Sequence, residues 1–235
     1  MITLDRLKNA FLDFLFPPFC AVCRKPGKWL CADCCEAVKP EKEWNCLVCN
    51  QATAPYAICS ACQPTALLNG LFIASHFNST MQKVIHAYKY KYVETIAPLL
   101  ADLYCTLLAT DEVFIKLTQV DTLLIPVPLH RKRLNWRGFN QSELLAREYA
   151  KRFPRWRIAS GLERMHETKT QMELDRENRL KNMINAFSYT GGNLENKTVL
   201  LVDDVSTTGA TLFSCAEALK PANPKEIWGL VLAHG

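Results

Sequence analysis

The stretch Val199-Leu200-Leu201-Val202-Asp203-Asp204-Val205-Ser206-Thr207-Thr208-Gly209-Ala210-Thr211 constrains this chain more than any other segment. Its four leading apolar residues read as a strand buried on both faces, the pattern of a parallel sheet. Two carboxylates stand where that strand is expected to end. A small, hydroxyl-rich loop with one glycine follows, and then a helical run from Thr211 to Lys220. Strand, tight loop and helix N-terminus together make an anion site. The first N–H groups of a helix have no intrahelical partner, and the helix dipole places positive charge at the same end. Ser206, Thr207, Thr208 and Thr211 add hydroxyl donors, and Gly209 lets the backbone approach closely. Asp203 and Asp204 would repel a bare phosphate, so the expected ligand also carries vicinal hydroxyls or a divalent metal. A ribose 5-phosphate satisfies both conditions.

This segment resembles the phosphoribosyl-pyrophosphate signature of type I phosphoribosyltransferases. The resemblance implies that the loop, Val205 to Thr211 with Gly209 and Ala210, holds a 5′-phosphate while the acidic pair meets the ribose hydroxyls. The plain alternative is a Rossmann-like strand–loop–helix with a chance pair of aspartates. The same pocket also serves regulators that bind the ligand without reacting.

The chain has 235 residues, enough for one sizeable domain and a small one. It is 49% hydrophobic and 22% charged, so a buried core is expected. The net charge of +5 permits phosphate or nucleic-acid binding without requiring it. Leu4, Leu7, Phe11, Phe14 and Leu15 fall at helical spacing among charged residues, which predicts an amphipathic helix over 1–18. No signal peptide is recognisable and no apolar run reaches membrane-spanning length, so a cytoplasmic protein without a membrane span is expected.

Eleven cysteines need a role, and nine of them precede residue 63. They form Cys20-x-x-Cys23, Cys31-x-x-Cys34, Cys46-x-x-Cys49 and Cys59-x-x-Cys62, with Cys35 left over. In a chain without a secretory signal this pattern argues for zinc over disulfides. Each Cys-x-x-Cys knuckle offers two thiolates from one tight turn, and two knuckles complete a tetrahedral site. Spacing favours consecutive pairing, Cys20/23/31/34 and Cys46/49/59/62, although a cross-braced arrangement satisfies the same pattern. With every position filled by sulfur, both sites are expected to be structural. So short a segment, poor in core hydrophobics, needs the metal to fold. Cys35, Cys105 and Cys215 read as small buried or incidental residues.

The boundary falls near Gln63-Pro64-Thr65, giving a double zinc ribbon over 19–64 and a second domain over 65–235. Leu71–Phe77 reads as a strand, Met81–Tyr88 as helical, and Ile96–Leu108 as a helix with Pro98 in its first turn. Thr122–Val127 reads as a buried strand and Asn140–Arg152 as a helix, with Asn140-Gln-Ser-Glu143 in capping-box form. A polar segment, Arg164 to Asn182, precedes a short strand over 185–189, and Glu226–Ala233 closes the sheet. Alternating strands and helices predict an α/β domain with a parallel sheet and ligands at the strands' carboxyl ends. No repeat beyond the cysteine pairs is evident.

Pro126-Val-Pro128-Leu129-His130-Arg131-Lys132-Arg133 reads as a cation-rich loop after a strand, with a solvated basic loop as the plain reading. Arg137-Gly-Phe-Asn-Gln141, Thr168-x-x-Gln171, Arg179 and Asn182-x-x-x-Ala186-Phe187 follow. Together with the cysteine-rich amino end, Lys89-Tyr90 and the Asp203-Asp204 loop, this series is similar to the ComF (competence protein F, GntX-like) family over nearly the whole chain. The resemblance implies a double zinc ribbon fused to a type I phosphoribosyltransferase-like domain. It also implies that Pro128, Leu129, His130 and Arg131 flank a pyrophosphate, held with Mg²⁺. Family members take part in natural transformation, handling imported single-stranded DNA alongside a helicase-like partner.

The basic loop is bulkier than the glycine-containing loops of salvage transferases, and no base-binding hood is recognisable. Three readings therefore stand: a DNA-uptake protein that binds phosphoribosyl pyrophosphate or a similar group, an active transferase acting on a base or amine, and a zinc-ribbon interaction protein with a vestigial pocket. Tyr88, Tyr90, Tyr92 and Trp136 lie near cations and are candidates to stack on bases. Core packing is their plain reading, and solvation that of Lys89 and Lys91.

Overall fold

The computed structural model describes residues 18–41, 44–90, 93–165 and 186–235. The expected helix over 1–18 lies outside the described residues but for its last position, as do Lys91, Tyr92, Thr168, Gln171, Arg179 and Asn182.

Val199, Leu200, Leu201 and Val202 are all fully buried in the middle of the main sheet. In chain order the strands are β1 (Gly70–His76), β2 (Thr122–Pro126), β3 (Trp156–Ile158), β4 (Leu162–Arg164), β5 (Phe187–Tyr189), β6 (Thr198–Ser206) and β7 (Glu226–His234). The helices are α1 (Ala32–Glu36), α2 (Ser79–Tyr90), α3 (Val93–Leu108), α4 (Glu112–Thr118), α5 (Arg131–Arg137), α6 (Gln141–Arg152) and α7 (Ala210–Leu219). The main sheet has five parallel strands in the order β1-β7-β6-β2-β3, and β4 pairs antiparallel with β5 apart from it.

Both faces of this sheet are covered, as parallel strands require. Alternate residues take opposite faces. Leu200, Val202, Leu124 and Leu230 join Tyr88, Leu100, Tyr104, Phe114, Tyr149 and Trp156 from the α2, α3, α4 and α6 side. Val199, Leu201, Ile125 and Val231 join Leu212, Cys215, Leu219, Leu162 and Phe187 from the α7 and β4–β5 side.

The cysteine-rich segment is fused to this body. Cys20, Leu30, Cys34 and Val38 belong to the first of these cores. Pro40 bridges Ser75 and Ala57 bridges Gly70, so the segment caps the outer edge of β1, which otherwise presents unpaired backbone groups. Leu71 N–H donates to the Tyr56 carbonyl at 2.8 Å. Trp44, Tyr56 and Phe72 form a chain of ring contacts at 4.3 and 4.9 Å.

Four differences from the sequence reading bear on the site. β6 runs on to Ser206, so Asp203 and Asp204 sit inside the strand, with Asp203 opposite Val231 of β7. Continued pairing with β7 outweighs the poor strand propensity of aspartate. Second, Arg131 to Arg137 form helix α5 where a loop was expected. The His130 imidazole caps it, accepting from Lys132 N–H at 3.4 Å, and Gly138 ends it at φ +81°. None of its residues is buried, so no apolar stripe marked it. Third, α3 begins at Val93, ahead of the apolar repeat, and Pro98 falls beyond its first turn, where it forgoes one ladder bond. Fourth, the cap of α6 is not a box: Asn140 Oδ1 accepts from Ser142 N–H at 3.2 Å, while Glu143 pairs with Arg147 at 2.6 Å.

Candidate functional site

Each group of four cysteines converges. The sulfurs of Cys20, Cys23, Cys31 and Cys34 lie within 4.8 Å of one another, as do those of Cys46, Cys49, Cys59 and Cys62. Consecutive pairing is therefore the one the fold adopts. Across the knuckles, Cys23 and Cys31 lie 3.5 Å apart and Cys49 and Cys59 lie 3.6 Å apart. A tetrahedral zinc with bonds of about 2.3 Å separates its sulfurs by about 3.8 Å, so both groups fit the ion.

The two sites repeat more than their cysteines. Cys20 N–H donates to Lys25 carbonyl and Cys46 N–H to Gln51 carbonyl, both at 2.8 Å. Phe19 bridges Pro26 and Asn45 bridges Ala52. Arg24 and Asn50, in matching places, both turn left-handed at φ 65° and 62°. In each first knuckle, burial raises the leading thiol's pKa, but backbone donors outweigh it and bring Cys20 and Cys46 down to about 6. Cys35, Cys105 and Cys215 belong to neither group, and burial pushes each of these thiols up.

At the carboxyl end of β6, Asp203 and residues Val205 to Leu212 line a small cup. Gly209 caps α7 at φ +72°, a left-handed turn that costs a side-chain-bearing residue about 1 kcal/mol or more. Thr208 Oγ1 accepts from Ala210 N–H at 3.4 Å. Ser206 lines the cup, and its hydroxyl is buried with no hydrogen-bond partner among the described residues. Buried hydroxyls are seldom left unpaired in native proteins.

The two aspartates diverge, because neighbours in a strand face opposite sides. Asp204 is buried and lies 2.6 Å from the Lys89 ammonium at the end of α2. That Oδ2 takes no aligned hydrogen bond, so the contact is a charge pair. Asp203 faces the cup, and its Oδ1 accepts from Ser142 Oγ at 3.0 Å and from Asp204 N–H at 2.8 Å. The residue keeps some exposed surface, yet its carboxyl is closely surrounded. Burial, and then the Asp204 charge, push it up to about 7. Arg164 of β4 belongs to the same region: burial and then the Arg133 charge lower its pKa, and Asp203 opposes them.

Pro128, Leu129, His130 and Arg131 reach the carboxyl end of β2, next to β6, where Val127 N–H donates to the Val202 carbonyl at 2.9 Å. They stand beside the cup and do not line it.

A second cavity of about 260 Å³ adjoins the cup. Thr207 and Thr208 form one wall, His76 and His234 at the ends of β1 and β7 form the floor, and Trp44, Asn45, Leu47 and Asn50 of the second ribbon close it.

The phosphoribosyl transferase domain model matches residues 142–234, from the start of α6 to the end of β7. Competence protein F of Haemophilus influenzae is 27% identical over 92% of this chain and 85% of its own length. Competence protein ComFC of Bacillus subtilis is 26% identical over 83% of this chain and 79% of its own. DNA utilization protein YhgH of Escherichia coli O6:H1 is 30% identical over 91% of this chain and 96% of its own. The chain belongs to the ComF family.

In this ComF chain the aromatics divide. Tyr88 is core: its ring is fully buried and its hydroxyl donates to the Gln141 carbonyl at 2.6 Å. Tyr90 and Trp136 are exposed, at 49% and 74%, with ring centroids 6.1 Å apart. The Arg137 guanidinium lies over Tyr90 at 5.1 Å. Among the described residues no helix is long and apolar enough to cross a membrane.

Sequence reading missed the partners that hold the aspartates, Lys89 and Ser142, and the second cavity. Ser142 had a local signal, since its neighbour Asn140 opens a helix. Lys89 stands in the sequence pattern only as Lys89-Tyr90, and nothing local points to a partner more than a hundred residues away.

Proposed function

We propose that this ComF-family protein takes part in DNA uptake by binding a phosphoribosyl group and the single strand that carries it. The observation that carries this reading is the buried, unpartnered Ser206 hydroxyl in a cup at the N-terminus of α7. A phosphate oxygen supplies the missing acceptor, and the α7 N–H groups and dipole favour its charge. Asp203 is the carboxylate available to a ribose hydroxyl. It is also the hard oxygen donor that Mg²⁺ takes, and the bound ion would balance a pyrophosphate. The basic segment Arg131, Lys132 and Arg133 stands on the neighbouring strand end to meet further phosphates. Phosphoribosyl pyrophosphate is the small-molecule form of this ligand.

The names of the relatives supply the setting, competence and DNA utilization. Tyr90, Trp136 and Arg137 supply an exposed stacking surface with a cation beside it, which single strands use without sequence preference. Two zinc ions hold the ribbons, a helicase-like protein is the expected partner, and the cytoplasm is the expected compartment.

The test is a comparison of oligonucleotides that differ only in a 5′-phosphate or 5′-hydroxyl, using wild type and Ser206→Ala. The proposal expects several-fold tighter binding of the phosphorylated strand, with the difference abolished by the substitution. Equal binding of both strands by the wild type rejects the cup as a phosphate site.

A further inference from the structure

The alternation of β6 treats its two aspartates unequally. Asp204 continues the strand face of Leu200 and Val202, which packs against the layer that holds α2 and α6. There its Oδ2 lies 2.6 Å from the Lys89 ammonium, and only 10% of the side chain is exposed. The cup is lined by Asp203 and by residues Val205 to Leu212, and Asp204 is not part of that lining. A sugar seated in the cup therefore meets one carboxylate, where the acidic pair in the sequence suggests two.

That one carboxylate is itself half used. Asp203 Oδ1 accepts from Ser142 Oγ at 3.0 Å and from Asp204 N–H at 2.8 Å, which fills both lone pairs of that oxygen. Oδ2 is the oxygen left for a ligand. A carboxylate grips a vicinal diol with its two oxygens together, one to each hydroxyl. Ser142 and the backbone close that grip and leave an acceptor for a single hydroxyl.

We propose that the cup does not read the 2-hydroxyl of its sugar, so that it takes a 5-phosphorylated 2-deoxyribose, the sugar unit of DNA, as readily as ribose 5-phosphate. The proposal rests on the phosphoribosyl reading of the cup and names the sugar class it accepts. A site rejects a ligand that lacks a hydroxyl when the loss strands a polar group built to meet it. Here nothing is stranded: Lys89 meets the Asp204 charge whether or not the sugar carries a 2-hydroxyl. The 3-hydroxyl, common to both sugars, remains for Asp203 Oδ2. Lys89 is thus a positioning residue. It stands outside the cup and acts by holding Asp204 against α2.

The experiment is titration calorimetry on the zinc-loaded full chain with ribose 5-phosphate and 2-deoxyribose 5-phosphate, and with adenosine and 2′-deoxyadenosine 5′-monophosphates as a second matched pair. Wild type is compared with Asp203→Asn and with the double variant Lys89→Met/Asp204→Asn, which removes the buried pair without stranding either partner. Within each matched pair the wild type is expected to bind both members to within about threefold, a difference below 1 kcal/mol. Asp203→Asn should weaken both members alike, and the double variant should keep both wild-type affinities. If the wild type binds the ribose form more than about threefold tighter, or if the double variant loses affinity for the ribose form alone, Asp204 reads the 2-hydroxyl and the proposal is overturned while the phosphoribosyl reading stands. If the double variant does not fold, the wild-type ratio decides by itself. If no member of either pair binds the wild type, the phosphoribosyl reading fails and the sugar preference falls with it.

Discussion

The Lys89 ammonium sits 2.6 Å from Asp204 Oδ2, joining the last turn of α2 to the central strand β6. Both side chains are mostly enclosed, with relative exposures of 26% and 10%. The pair ties the helix layer to the strand that carries the cup. It also commits one of the two aspartates to the fold, leaving Asp203 to face the cup.

Removing one partner strands the other. Lys89→Met leaves Asp204 buried without its cation and is expected to destabilise the protein by about 3 kcal/mol. Adding Asp204→Asn to Lys89→Met should restore a large part of that loss. Denaturant unfolding of the four members of the cycle checks this. A loss below about 0.5 kcal/mol for Lys89→Met would mean that the pair behaves as a surface contact.

Asp203 gives stability a pH dependence of definite sign. Its folded pKa, about 7, lies above its ordinary value of 3.8, so between those pH values the folded state binds more protons than the unfolded one. Its contribution therefore falls as pH rises from about 4 to about 7 and levels off above that. Asp203→Asn removes this component. Unfolding curves across that range should show the variant gaining on wild type as pH rises, and a constant difference would contradict the assignment.

The zinc sites support the whole body, because Cys20, Leu30, Cys34 and Val38 pack in the main core and residues 40 and 57 bridge to β1. Metal analysis of the purified protein should give two zinc ions per chain, and Cys46→Ser should leave about one. Chelation should lower the melting temperature of the α/β body as well as unfold the ribbons. A body whose melting is unchanged by chelation would show the two parts to be energetically independent.

Trp136 is 74% exposed, so Trp136→Ala should leave stability almost unchanged. If bases stack there, single-strand affinity should drop by about 1–3 kcal/mol. Arg137→Ala should weaken binding and also flatten its salt dependence, since phosphate contacts release counterions. Unaltered affinity in both variants would move the strand elsewhere on the surface.

What could be read from the chain depended on how local the physics was. Val199 to Val202 announce a parallel strand because burial on both faces needs a continuous apolar run. The cysteine pairs announce their sites because each knuckle is a single turn. β3, β4 and α5 were not legible: the strands span three residues each and α5 buries none of its side chains. The carboxyl end of β6 was misjudged because aspartates look like a stop signal, whereas pairing with β7 carries the strand past them. Opposite facing of Asp203 and Asp204 follows from strand geometry once that extension is known. The Lys89 pair and the cavity beneath the second ribbon depend on chain segments far apart in sequence, and no local pattern encodes them.

Calorimetric titration of the zinc-loaded protein with phosphoribosyl pyrophosphate and Mg²⁺, using wild type, Asp203→Asn and Ser206→Ala, addresses the cup directly. Asp204 is left intact because it is paired with Lys89 inside the fold. Binding by the wild type that weakens at least tenfold in each variant, with unfolding midpoints close to wild type at pH 6, is the expected result. An absence of binding by the wild type, or equal binding by all three proteins, would contradict a phosphoribosyl site at Asp203 and Ser206.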